Sequence, residues 1–307
     1  MPTPVTRTAP AKINLYLHIT GKRQDGYHEL DSLVAFADFG DVITVEDSNK
    51  KDLSLSLTGP FADQLSTNND NLVLRAARLL ADHTGVAANA HITLEKKLPI
   101  ASGIGGGSAD AAATLRALMD FWAITSTNDD RQNNLSPDTL NAIGLALGAD
   151  VPVCLQSRPV FMGGIGEHLE PAPKLPPIWL VLVNPGVEVS TPAVFQARQK
   201  AHGETFSKPA RFFEHPRDAA HFADILHTRD NDLMDSAIKI APVIGKVLST
   251  LATQNDALLT RMSGSGATCF ALFATEKQAK KATKTLQTSH PDWWVQTAQL
   301  LNTPFQD

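Results

Sequence analysis

Residues 13–19 alternate between apolar and polar side chains: Ile13, Leu15, Leu17 and Ile19 fall on one face, Lys12, Asn14, Tyr16 and His18 on the other. A period of two predicts a strand with one buried and one polar face. Further strands are expected over 41–45, 53–57 and 91–95. Between them, apolar positions at helical spacing predict a helix over 71–83, capped by Asp70 and ended by Gly85. A helix over about 108–122 follows a glycine-dense stretch. Ser136 and Pro137 then read as a cap and a first-turn proline, opening a helix that runs to Leu147 and stops at Gly148. The apolar runs 151–155 and 160–162 read as strands. Prolines 171, 173, 176 and 177 crowd the next segment and mark a domain junction.

Past that junction, 178–183 reads as a buried strand and Thr191-Pro192 as the start of a helix. A helix over 242–253 and strands over 257–262 and 268–274 follow, the strands flanking "SGSGA". A helix over 276–289 and a strand over 294–300 complete the pattern. The stretch 202–227, rich in His and Arg, shows no motif and reads as variable surface. Strands and helices mix in both halves without a regular βαβ rhythm, which favours an α+β class of fold over a doubly wound parallel sheet. Two domains are expected, 1–170 and 171–307.

The pattern does not explain "PIASGIGGGSADAAATLRAL". Four of the five residues from Gly103 to Gly107 are glycine, and they precede a helix of small residues. Each ordered glycine costs about 0.5–1 kcal/mol relative to alanine, so stability is not the reason for them. A helix N-terminus presents unpaired N–H groups and a partial positive charge, and glycines before it let the backbone wrap an anion, typically phosphate. No Gly-Lys-Ser/Thr follows, so this is not a Walker A loop. Ser108 stands where a dinucleotide fingerprint needs its third glycine.

Composition narrows the chemistry. The chain has 307 residues and a formal net charge of −5, which argues against a general nucleic-acid binder. Its two cysteines, Cys154 and Cys269, sit in apolar runs and read as buried, reduced thiols. No Cys/His cluster has zinc spacing. The start lacks an apolar stretch of signal-peptide length, and the longest clean apolar run, 178–183, is six residues, so no membrane span and a cytoplasmic protein are expected. Two further positions carry a charge that chemistry could use. Lys12 lies on the polar face of the first strand, where a solvated charge is the common case. Asp150 follows a helix stop in "LGADVPVCL", where a structural cap is common.

Taken together, Ala9-Pro-Ala-Lys-Ile-Asn14, the glycine stretch 99–112, Gly148-Ala-Asp150-Val-Pro152 and Ser263-Gly-Ser-Gly-Ala267 resemble the ordered motifs of the GHMP kinases, over nearly the whole chain. The resemblance implies a two-domain GHMP kinase fold: an N-terminal domain like ribosomal S5 domain 2 and a ferredoxin-like C-terminal domain, with the active site between them. It implies ATP and Mg2+ as cofactors, without a protein-built metal cage. The ATP site implied is Pro99, Ile100, Ala101, Ser102, Gly103, Ile104, Gly105, Gly106, Gly107, Ser108 and Ala109, with Asn71 near the adenine. Lys12 and Asp150 are implied as the catalytic pair.

"DGYHEL" and "STPAVF" are similar to one branch of that superfamily, which phosphorylates the 2-hydroxyl of a cytidine diphosphate-linked methylerythritol on the non-mevalonate route to isoprenoids. The likeness implies that Tyr27 and Phe195 sandwich the cytosine and His28 meets its edge. Asn14, Thr191, Gly264 and Gly266 are implied to complete the substrate site. A homoserine- or mevalonate-type kinase and a non-catalytic ATP sensor are the alternatives. The chain departs from the pattern at Ala101 and Ser102, where glycines are usual, and at Ala109-Asp110, where Ser-Asn is usual. Asp110 suits a helix dipole but opposes ATP unless it points away or faces magnesium.

Overall fold

The computed structural model describes residues 3–48, 52–68, 70–126 and 134–303. In chain order the elements are β1 (Val5–Lys22), β2 (His28–Glu46), β3 (Leu53–Thr58), α1 (Leu72–Thr84), β4 (Ala90–Glu95) and α2 (Gly106–Phe121). The short strands β5 (Thr125–Ser126) and β6 (Asn134–Leu135) precede α3 (Pro137–Leu147), α4 (Val151–Gln156), β7 (Val160–Gly164) and β8 (His168–Pro171). The later part holds β9 (Trp179–Asn184), α5 (Thr191–His202), α6 (Ala219–His227), α7 (Met234–Ile240) and α8 (Val243–Ala252). It ends with β10 (Leu259–Met262), β11 (Cys269–Phe273), α9 (Glu276–Ser289) and β12 (Trp294–Gln299).

The first eight strands, β5 and β6 apart, form one sheet ordered β3-β4-β2-β7-β8, with β1 antiparallel along β2. The last four form a second, antiparallel sheet ordered β10-β11-β9-β12. Helices α1, α2 and α3 cover one face of the first sheet, burying Val73, Leu80, Leu115, Leu118 and Ile143 against Ile43, Ile92 and Leu94. Helices α7, α8 and α9 cover the second sheet. A third apolar cluster joins the sheets, bringing Ile13, Leu15 and Leu33 together with Leu180, Leu182, Phe270 and Leu272.

Several expectations are corrected. Residues 151–155 are helical, in α4. A short apolar run does not distinguish a buried strand from a buried helix. Pro152, lacking an N–H, fits the first turn of α4, and Val151 to Cys154 are buried. The cap of α1 is Asn71, whose side chain accepts from the Val73 N–H, and not Asp70.

The polar face of β1 is not solvated: Lys12, Asn14, Tyr16 and His18 are all buried. Later parts of the chain cover it, with Lys12 N–H donating to Ile104 O at 2.9 Å and His18 Nδ1 bonding Lys208 O at 3.0 Å. A bulge between Asn14 and Tyr16 also divides the apolar face. Ile13 and Leu15 enter the core between the sheets, whereas Leu17 and Ile19 enter the core of the second sheet.

The stretch 202–227 is not simply surface. It contains α6, whose Phe222 and Leu226 are fully buried. Before it, Ala210 N–H and Arg211 Nε donate to the buried Asp31, which also accepts from Tyr16 Oη at 2.9 Å. Burial, with the Asp31 charge adding to it, raises the pKa of the Tyr16 phenol. Strand β8, helices α6 and α7 and the first half of β2 have no counterpart in the pattern reading.

Candidate active site

Asp41 on β2 accepts from the N–H groups of Lys97 and Leu98 at 2.6 and 2.8 Å, fixing where the chain leaves β4 for the glycine stretch. That stretch turns through left-handed residues, Ala101 (φ 49°), Gly103 (φ 76°) and Gly105 (φ 64°), before α2 begins at Gly106. At Gly103 a Cβ would lie 2.5 Å from Ser263 O and 2.7 Å from Gly266 O, so glycine is demanded by contact as well as by φ. The turn 263–267 is packed directly behind the loop. Ser263 Oγ donates to Gly103 O at 3.0 Å and accepts from Asn14 N–H at 3.1 Å, and Thr268 N–H donates to Ser102 O at 3.0 Å.

Lys12 and Asp150 meet in front of this cradle. Lys12 Nζ donates to Asp150 Oδ2 at 2.8 Å, and the lysine stem lies against Gly105, where a Cβ would be 3.1 Å from Lys12 Cβ. Asp150 stands at the N-terminus of α4 without a side-chain cap bond. Its carboxylate is spent on the lysine instead, and it is 37% exposed on the cleft side while the Lys12 side chain is 6% exposed.

The cleft has a volume of about 1060 Å³, larger than the usual range of roughly 300–1,000 Å³ for one small ligand. The cradle residues from Pro99 to Ser108, apart from Ile104, form one wall. Tyr27, His28, Thr191 and Phe195 form the other, with Asn14, Gly264, Lys12 and Asp150 between. Asn71, Ile104, Ala109 and Gly266 lie outside the lining. Asn71 caps α1 and donates from Nδ2 to Ser66 O, Ile104 and Ala109 are buried in the core, and Gly266 backs Gly103.

The second wall is looser. Tyr27 is 61% exposed in a tight turn held by the Arg23–Tyr27 backbone bond. His28 packs on Phe195 with ring centroids 5.0 Å apart, and its Nε2 faces Gln199 Oε1 at 3.4 Å. Burial lowers the pKa of the His28 imidazole; the Gln199 bond opposes this, while Lys22 and Arg198 add to it. Asn14 donates from Nδ2 to Ser32 Oγ, and its buried Oδ1 has no hydrogen-bond partner.

Sequence reasoning passed over Ser263, Lys96, Gln196, Gln199 and Lys22. Ser263 sits in a motif already singled out. Gln199 was findable only as the i+4 neighbour of Phe195 and the i+3 neighbour of Gln196 on α5. Asp110 bonds Lys96 Nζ at 2.7 Å through Oδ2, while its other oxygen, Oδ1, is buried without a partner; both residues reach the cleft lining. Among the described residues no cluster of three or more His, Cys, Asp or Glu could hold a metal, and no helix is long and apolar enough to cross a membrane. Both cysteines are free and buried.

Comparison with known proteins bears on this geometry. Residues 71–158 match the family profile of the GHMP kinases N terminal domain, and residues 212–292 match that of GHMP kinases C terminal. A curated protein of Paramagnetospirillum magneticum called 4-diphosphocytidyl-2-C-methyl-D-erythritol kinase is 53% identical over 96% of this chain and 98% of its own. One of the same name from Parvibaculum lavamentivorans is 48% identical over 97% and 99%. A crystal structure of 4-(cytidine 5'-diphospho)-2C-methyl-D-erythritol kinase superposes with a TM-score of 0.71 at 31% identity, over 96% of this chain and 98% of that one. Homoserine kinase from Cytophaga hutchinsonii shares the fold, with a TM-score of 0.70 at 17% identity over 99% of this chain and 96% of its own. With its glycine cradle, its lysine–carboxylate pair and matches to both halves, the chain belongs to the GHMP kinase family.

Proposed function

We propose that this chain transfers the γ-phosphoryl group of ATP to the 2-hydroxyl of 4-diphosphocytidyl-2-C-methyl-D-erythritol, a step of the non-mevalonate route to isoprenoid precursors. The observation that carries this reading is the 2.8 Å Lys12–Asp150 pair, set between a phosphate-sized backbone cradle and an aromatic wall within one cleft.

In this reading the N–H groups from Gly103 to Ser108 cradle the phosphates at the start of α2, where the helix dipole favours anions. Asp150 accepts the alcohol proton. A carboxylate is a weak base, but phosphoryl transfer is largely dissociative, so the proton leaves late and positioning matters more than basicity. Lys12 holds Asp150 in place and offsets charge that develops on the transferred group. Tyr27 and Phe195 stack on the cytosine, and His28 meets its edge. Asn14, Thr191 and Gly264 contact the sugar-alcohol part.

Magnesium fits as a phosphate-bound ion: the Ser108 hydroxyl and the Asp110 and Asp150 carboxylates line this part of the cleft, and among the described residues no cluster of three or more His, Cys, Asp or Glu forms a cage of protein ligands. When bound it neutralises phosphate charge. We assign 1–170 and 171–307 as the two domains, a division supported by the change of sheet between β8 and β9. We read the enzyme as cytoplasmic, acting on two dissolved, charged small molecules rather than on nucleic acid or a membrane.

The deciding experiment is ADP release with the cytidine alcohol, homoserine and mevalonate offered separately. Release with the first alone is expected; equal or greater turnover with either of the others overturns the substrate assignment.

A further inference from the structure

Gly106, the first residue of α2, is a glycine that backbone conformation does not require, because its φ is not positive. Its reason is a close contact. A Cβ there would be 3.1 Å from Lys96 Nζ and 3.7 Å from Asp41 Oδ2. The Lys96 ammonium therefore sits against the cradle at the point where loop becomes helix, and Lys96 and Asp110 both reach the lining of the cleft.

That ammonium is bound on two sides. It donates to Asp41 Oδ2 at 2.5 Å and to Asp110 Oδ2 at 2.7 Å. All three side chains are almost fully buried. Burial opposes the Lys96 charge, but Asp110 and Asp41 outweigh it and raise the ammonium's pKa. Asp41 uses its other oxygen for the Lys97 and Leu98 N–H groups. One cation thus ties three pieces: β2 at Asp41, the chain leaving β4, and α2 at its fifth residue, Asp110. Buried ion pairs are poor general stabilisers, because desolvation offsets most of their attraction. A cluster of this kind against a phosphate cradle is better explained by what it positions.

We propose that Lys96, gripped by Asp41 and Asp110, is a positioning residue for ATP: it fixes the glycine cradle, and Asp110 serves to hold Lys96 rather than to meet phosphate or metal. The proposal rests on the reading of that cradle as the ATP site.

Asp110→Ala, Asp110→Asn and Lys96→Met separate the possibilities when both KM values, kcat, the magnesium requirement and the thermal midpoint are measured. Asparagine keeps an oxygen for the Lys96 ammonium, so Asp110→Asn is expected to hold the KM for ATP within about threefold of wild type, with an unchanged magnesium requirement. Asp110→Ala and Lys96→Met release the cradle and are expected to raise the KM for ATP by about tenfold or more, while the KM for the alcohol stays within about twofold.

Folded Asp110→Ala and Lys96→Met proteins with ATP KM values near wild type overturn the proposal, as do two KM values that rise together. If neither truncation folds, Asp110→Asn decides alone: a magnesium requirement or ATP KM raised about tenfold assigns Asp110 to the ligand and overturns it, and values near wild type support it. Failure of the ATP reading itself looks different, since wild type would then release no ADP and bind no nucleotide analogue.

Discussion

The two walls of the cleft are built differently. The cradle wall is fixed from four directions: β1 through Lys12 N–H, β2 through Asp41, the 263–267 turn through Ser263, and α2 through Asp110 and Lys96. The aromatic wall rests on a solvent-exposed turn at Tyr27, one ring contact between His28 and Phe195, and a long bond to Gln199. Electrostatic stabilisation of a transferring phosphoryl group requires donors that do not reorganise during the reaction. A stacking site tolerates movement, since either ring can follow the base. On the proposed reading, rate depends on the first wall and substrate choice on the second.

The strongest way to break this comparison is at the charged pair. Asp150→Asn and Lys12→Ala are each expected to lower kcat by about 10³-fold, roughly 4 kcal/mol, with the fold intact by circular dichroism. Turnover within about tenfold of wild type would remove both residues from the chemistry.

Stacking is the next test. Tyr27→Ala and Phe195→Ala are each expected to raise the KM for the cytidine alcohol about tenfold while leaving the KM for ATP alone, as loss of one stacking partner implies. Equal effects on both substrates would erase the distinction between the walls.

Glycine substitutions compare the walls on stability. Gly103 and Gly26 both have positive φ, 76° and 92°, but a Cβ at Gly103 meets backbone at 2.5 Å whereas nothing lies within 4 Å at Gly26. Gly103→Ala is expected to destabilise by about 2–3 kcal/mol in denaturant melts, and Gly26→Ala by about 1 kcal/mol, the conformational part alone. Equal costs would mean that the packing behind the cradle contributes nothing.

The smallest expected effect follows from His28. Its pKa is lowered from 6.5, so the neutral ring persists below ordinary imidazole range. With Nε2 turned to Gln199 Oε1, Nδ1 is left as an acceptor for the cytosine amino group. Below that lowered pKa the ring carries two N–H groups and the acceptor is lost. The KM for the cytidine alcohol should therefore be flat above pH 6.5 and rise only in more acidic solution, as pH falls through the lowered pKa. A flat profile over the whole range counts against an acceptor role for this ring.

The residues that speak loudly in the sequence are those with a local reason. Ser136 as a side-chain cap, Pro137 in the first turn and Gly85 as a stop act on adjacent backbone, and the structure places each where the pattern does; the helix after the glycine stretch begins at Gly106, two residues before the expected start, so Gly106 and Gly107 belong to its first turn. What stayed hidden depends on partners far along the chain. The polar face of β1 was unreadable as buried, because Ile104 and Lys208 cover it from residues 92 and 190 positions away. Asp150 could not be separated from a helix cap until Lys12, 138 residues distant, was seen to take its carboxylate. The α6 helix was passed over because the stretch was read by its His and Arg content, although its buried positions Ala219, Phe222, Ala223 and Leu226 recur at helical spacing. Lys96 looked like one of two ordinary lysines; nothing in its neighbours announces two carboxylates from β2 and α2.

The apolar seam between the two sheets has a dynamic consequence. Because Ile13 and Leu33 interlock with Leu182 and Phe270, the halves cannot swing apart without exposing that shared interior to water. Reactants then reach the crevice through its mouth, where the exposed Tyr27 bend stands.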